Sequence, residues 1–190
     1  MTELTEVTSI PGYVAGTWTI DPVHSEVGFA VRHMMVSKVR GKFTTFSGEI
    51  VTGDNPAASS VTAEIGLASI DTGNEQRDAH IKSADFFEVE NYPTMTYKST
   101  GVRAGGGGGD FTLDGDLTLK GVTKKVPLRL ELNGFGPDAY GGTRAGFTAT
   151  TEINRRDFGV NFNAALQNGG VVVSDKVTIH LEIEAVLATA

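Results

Sequence analysis

The chain contains no cysteine. That excludes disulfide staples, thiol nucleophiles and thiolate metal centres, and it leaves the redox compartment unmarked. No apolar run approaches the roughly 18 residues that a membrane-spanning helix requires. Lysine and arginine are absent before Arg32, whereas Glu3 and Glu6 lie in the opening segment. A secretory signal needs a basic start followed by an apolar stretch, so the expected location is the cytoplasm. Summed over the chain, positive charge is in deficit: 16 Lys and Arg stand against 23 Asp and Glu, a net charge of −7. That sign disfavours nucleic acid as a partner and disfavours electrostatic docking on anionic lipid headgroups. Neither a Gly-x-Ser-x-Gly elbow nor a His-Glu-x-x-His pair occurs, so serine and zinc hydrolysis lack their usual marks.

What is abundant is glycine, 24 residues in 190. The ordinary share is about 7%, and the surplus suits a strand-rich chain with many tight turns. The dominant pattern has period two. Val27, Phe29 and Val31 alternate with small or polar neighbours, as do Phe111, Leu113, Gly115, Leu117 and Leu119. Val126, Leu128, Leu130 and Leu132 repeat it, and so do Val177, Ile179, Leu181, Ile183, Ala185 and Leu187. Strict alternation places one face of each strand in an apolar interior and the other in water. Strands are predicted over 16–20, 25–32, 38–52, 59–67, 94–103, 109–120, 123–135, 143–153 and 175–187.

One helix is predicted over 74–84, with Asn74 as its N-cap and Glu75 suited to its positive end. A short turn is expected over 154–158, fastened by Arg155 or Arg156 with Asp157. The glycine run 105–109 reads as a hairpin loop, since a phosphate loop would end in Gly-Lys-Ser/Thr. Residues 1–15 read as a flexible N-terminal arm, and 16–190 as one domain.

Long strands with a single apolar face can form a sandwich or a closed barrel. Thirteen residues in the last strand, at about 3.3 Å each, favour a tall barrel of about eight strands. Gly115, Ala145, Ala149 and Ala185 are small residues on inward positions. They leave room for a ligand tail, or they interleave with large neighbours in a packed core. Pattern alone does not separate the two.

A set of motifs narrows the reading. Trp18-Thr19-Ile20-Asp21-Pro22, His24-Ser25, Phe29-Ala30-Val31-Arg32-His33 and Val39-Arg40-Gly41-Lys42-Phe43 come first. Phe46-Ser47-Gly48-Glu49-Ile50, Ile70-Asp71-Thr72, Arg77-Asp78-Ala79-His80, Asp85-Phe86-Phe87 and Asn91-Tyr92-Pro93 follow. Leu117-Thr118-Leu119-Lys120-Gly121-Val122-Thr123 and Asn154-Arg155-Arg156-Asp157-Phe158-Gly159-Val160 complete the set. In this order the motifs resemble those of the YceI-like family of polyisoprenoid-binding proteins, over about 16–187. The resemblance implies an all-β, extended, lipocalin-like antiparallel barrel with one short helix at its mouth. It also implies a tunnel for an isoprenoid or similar amphiphile, often within a homodimer. The 105–109 run looks like an addition to the family pattern.

The expected function is therefore to bind and sequester or carry a long-chain isoprenoid, of quinone or polyprenyl phosphate type, without catalysis. Phe29, Val31, Phe111, Leu113, Leu117, Leu128, Leu130, Phe147, Ile179 and Leu181 are the candidates for holding the tail. Burying several hundred Å² of tail at about 25 cal/mol per Å² gives on the order of 10 kcal/mol before ordering costs. Polar groups are needed only for the head group, and His24, Ser25, His33, Arg77, Asp78 and His80 are the candidates. Arg77 and Asp78 have a structural alternative, an ion pair anchoring the helix. No cofactor and no metal are expected, because His24, His33 and His80 lack the tight spacing of a zinc set. Two rivals stay open: an enzyme using His and Asp at the mouth as acid and base, and a filled barrel that serves as a dimerisation module.

Overall fold

The computed structural model describes residues 10–34, 36–104, 110–164 and 172–189. The strands are β1 (Gly16–Ile20), β2 (Glu26–His33), β3 (Ser37–Phe43), β4 (Phe46–Thr52), β5 (Ser60–Gly66) and β6 (Ile70–Asp71), followed by helix α1 (Glu75–Lys82). The second half holds β7 (Thr94–Ala104), β8 (Asp110–Leu119), β9 (Val122–Lys125), β10 (Leu128–Pro137), β11 (Thr143–Asn154) and β12 (Val173–Leu187).

Every pairing is antiparallel, and the twelve segments amount to eight broken or whole staves. β1 with β2 forms one stave, because both pair with β12 in sequence. β3 with β4, β5 with β6, and β9 with β10 form three more interrupted staves. Each stave pairs with the next along the chain, and β12 closes the sheet on β1 and β2. The result is a closed eight-stranded antiparallel barrel. The 38–52 span expected as one strand breaks at Thr44 and Thr45. There the two backbone N–H groups turn to the Ser69 hydroxyl at 3.1 and 3.0 Å.

The helix begins where its cap predicts. Asn74 Oδ1 accepts from the Arg77 N–H at 2.9 Å. The turn after β11 is a 3-10 helix, Arg155–Phe158, with Phe158 only 1% exposed. Its fastening differs from the expected Asp157 pairing: Arg156 Nε meets Asp175 at 2.7 Å, and Arg155 turns inward. Of the segment 1–15 expected as an arm, residues 10–15 are described. Tyr13 donates its hydroxyl to the Gly53 carbonyl at 2.6 Å and packs edge-on against Phe135. Residues 1–9 and the 105–109 loop lie outside the described residues.

The small inward residues mostly make room for aromatic rings of the protein itself. A Cβ at Gly115 would lie 2.4 Å from the Tyr97 ring. Tyr97 is buried, and its hydroxyl donates to the Val126 carbonyl at 2.8 Å. Burial raises the Tyr97 pKa, so the phenol stays neutral and serves as a donor. Ala145 and Ala185 lie in one cluster with Trp18, which is fully buried. The indole donates to Thr52 Oγ1 at 2.9 Å.

Gly115→Ala should therefore cost about 1–3 kcal/mol, measured by urea denaturation, since the Tyr97 ring must move. In a Tyr97→Ala background the same substitution should cost distinctly less, and equal costs in the two backgrounds would contradict this packing.

Candidate functional site

Among the described residues, two cavities lie within the barrel. The smaller, about 190 Å³, lies toward the Tyr13 and Phe135 end. The larger, about 620 Å³, lies under α1. Val27, Met95 and Ile179 line both, so the two linings meet at these side chains. Phe111, Leu113, Leu117, Leu128, Leu130, Phe147 and Leu181 line the smaller cavity, Phe29 and Val31 the larger, and Ile179 both. The inward parity of the strands puts them there. Of the small residues, only Ala149 among the four alanines and glycines noted in the sequence borders open space.

The head-group candidates separate into two places. His33, Arg77 and His80 border the larger cavity, together with Arg32, Asn74, Gln76 and Arg155. Among the described residues lining it there is no Asp or Glu, so its polar rim carries arginines and neutral polar groups without a carboxylate. His80 stands edge-on between Phe86 and Phe162, with ring centroids 5.1 and 4.9 Å away. Its Nε2 lies 2.8 Å from Asp85 Oδ2. Phe86, Phe162 and Arg32 are not among the head-group residues expected from the sequence. Phe86 lies within the Asp85-Phe86-Phe87 motif, and nothing local in the sequence marks Phe162 as its partner.

Arg77 and Asp78 do not pair with each other. Both hold Thr72 instead: Arg77 donates to its hydroxyl at 2.8 Å and its carbonyl at 2.7 Å, while Asp78 Oδ1 accepts from its N–H at 3.0 Å. In place of the expected ion pair, these bonds tie the helix to the neighbouring Thr72. Arg155, 5% exposed, donates to the carbonyls of Val160 at 2.8 Å, Phe162 at 2.7 Å and Ser174 at 3.0 Å. Burial pulls its pKa below the ordinary arginine value, and Asp175 opposes that. It fixes the loop carrying Phe162 against the start of β12.

His24 and Ser25 lie elsewhere, at the break between β1 and β2. Ser25 Oγ accepts from the Glu184 N–H at 3.0 Å and donates to its carbonyl at 3.2 Å, patching the ladder where the strand is interrupted. His24 Nδ1 lies 2.7 Å from Asp21 Oδ2. Arg144 Nη1 donates to Asp21 and Glu184, both at 2.8 Å, and its Nε to Asp138 at 3.2 Å. Asp21, His24 and Glu184 are close enough to share an ion, but Arg144 already supplies the cation there. β2 alone, at about 3.3 Å per residue, separates His24 from His33 by roughly 25 Å. His24, His33 and His80 therefore do not converge.

Arg144, and after it His24, holds the Asp21 carboxyl well below its ordinary value of 3.8. A depressed carboxylate contributes stability above its unfolded pKa and loses it as pH falls through the folded one. Arg144→Met should lower Tm by about 2–4 °C at pH 7. The gap from wild type should narrow below pH 3.8, the pKa from which Asp21 is lowered. A gap independent of pH would refute this linkage.

Fold and interior together define a class: a closed eight-stranded barrel with apolar cavities, roofed at one end by a helix bearing hydrogen-bond donors. Residues 18–185 match the family model described as the YceI-like domain. The chain belongs to the YceI-like family. A UPF0312 protein of Vibrio cholerae is 38% identical over 187 residues, covering 96% of this chain and 94% of the relative. The protein YceI of Escherichia coli is 40% identical over 166 residues, covering 85% and 86%. A solved polyisoprenoid-binding domain from Saccharophagus degradans superposes with a TM-score of 0.69 at 17% identity, covering 92% of this chain and all of that one. Among the described residues, no helix is long and apolar enough to cross a membrane.

Proposed function

We propose that this chain binds a long-chain isoprenoid, of quinone or polyprenyl phosphate type, and sequesters or carries it without chemical conversion. The observation carrying this reading is the pair of apolar cavities that meet at Val27, Met95 and Ile179. A flexible tail passing that junction would use both cavities as one tunnel. The rim of the larger cavity, which carries Arg32 and Arg77 and, among the described residues, no carboxylate, suits an acceptor head group such as a quinone carbonyl or a phosphate. Family membership and the fold shared with a polyisoprenoid-binding domain support the ligand class.

Mass spectrometry of an organic extract from gently purified protein should show one long-chain amphiphile in near-stoichiometric amount, unchanged on prolonged incubation. An empty extract, repeated after incubation with quinones, would refute binding, and a converted product would favour an enzyme using His80 and Asp85. The junction gives a second test. Ile179→Phe should weaken long tails at least about tenfold while sparing short ones, since each excluded CH₂ forfeits about 0.8 kcal/mol. Equal retention of both lengths would mean that the tail does not pass Ile179.

A further inference from the structure

The β2–β3 hairpin departs from the charge of the molecule that carries it. Between Glu26 and Glu49 there is no acidic residue, although the chain as a whole is at −7. On the outer face of the hairpin Arg32 is directly opposite Lys38, and Arg40 follows two residues later; all three are exposed. Among the described residues none of the three lies within ion-pair distance of a carboxylate. Lys42, farther from the tip, faces Asp71 across the β3–β6 register and is left out of the set. Beyond the cations, at the turn, Met34 is 43% exposed and Val36 is 85% exposed.

This hairpin also borders the larger cavity. Arg32, His33 and Val39 belong to its lining, so the basic collar and the apolar tip stand beside the rim. Among the described residues nothing covers these two apolar side chains, and three cations without acidic partners among those residues repel one another. An anionic bilayer relieves both: its headgroups neutralise the collar, and its acyl boundary takes the tip. A neutral or cationic surface would relieve only the second.

We propose that the β2–β3 hairpin docks this protein on anionic lipid bilayers, with the rim of the larger cavity held at the membrane surface. The net charge, which argues against such docking, is an average; within a Debye length of about 8 Å a bilayer responds to the local collar. Three cations at about fivefold each predict roughly hundredfold stronger partitioning onto anionic than onto neutral vesicles.

The test is co-sedimentation of the full chain with phosphatidylcholine vesicles, with and without about 30% phosphatidylglycerol, across a salt series. Binding should require the anionic lipid and should be lost at high salt. Lys38→Glu with Arg40→Glu should reduce it to the neutral-vesicle level, and Val36→Asp should weaken it about tenfold. These positions are exposed, so the variants should keep the wild-type circular dichroism and retain lipid in the lumen as before. Arg32 is left intact because it borders the cavity. Equal binding to both vesicle types, or undiminished binding by the double variant, would overturn the proposal. So would a salt-sensitive dimer abolished by that variant in a protein that ignores vesicles, since the patch would then face a second copy. Docking and lumen occupancy are separate readouts, so an empty lumen would leave this result standing or falling by itself.

Discussion

The structure depends on one seam. β12 pairs with β11 along one edge and, along the other, with β2 over Val173–Glu182 and with β1 over Ala185–Leu187. A closed barrel has no free edge, and here closure needs a strand long enough to span two shorter ones. The junction between those two falls opposite Glu184. Ser25 supplies hydrogen bonds there that an unbroken strand would have made with its backbone, and the Asp21 N–H adds another to the Glu184 carbonyl at 2.8 Å. Arg144, reaching from β11, ties Asp21, Glu184 and Asp138 together across the same gap. The cluster that looks most like chemistry is thus the clasp of the barrel.

Closure with long strands also explains why the interior is hollow where it is. An eight-stranded barrel is just wide enough for side chains to fill, and here they fill its length unevenly. At one end Trp18, Phe135 and Phe147 stack edge to face over Ala145 and Ala185. Partway along, Tyr97 crosses over Gly115 and Phe29 over Gly41, each ring lying where a partner's Cβ would be. The open space lies beside these rings, several of which line it together with aliphatic side chains such as Val27, Leu113, Leu117 and Ile179. A ligand tail entering such space needs no hydrogen bonds, only surface to cover, which is why selectivity has to come from length and from the rim.

Most of the architecture was legible in the sequence, because period-two alternation reports directly which face a strand buries. The helix was legible from Asn74 alone, and the inward-facing lumen residues followed from parity. The meaning of the small residues was not. Gly115 and Ala185 signal that something occupies the space above them, but whether that is a ligand or Tyr97 and Trp18 depends on neighbours 18 and 167 positions away in the chain. His24 misled for a related reason. A histidine beside a serine reads alike whether it meets a ligand or patches a seam, and only the pairing of β1 and β2 with one strand distinguishes these. Thr72 was invisible as the shared partner of Arg77 and Asp78, since two opposite charges in adjacent positions suggest each other first.

The two ends of the barrel are made differently, and the difference has a direction. At the Tyr13 end, the chain segment before β1 lies over the staves and an aromatic cluster backs the smaller cavity. At the α1 end, an eight-residue helix with no fully buried side chain is held by Thr72, by Ile81 packed against the core and by the His80, Phe86 and Phe162 contacts. Local opening follows local burial, so such a half-buried helix costs less to displace than a paired strand. The larger cavity, its carboxylate-free rim, the helix and the basic hairpin all sit at that same end. A lipid entering there would meet charge first, then the helix, and only afterwards the apolar interior past Val27, Met95 and Ile179. That sequence takes the head group last and leaves it where water and membrane can reach it.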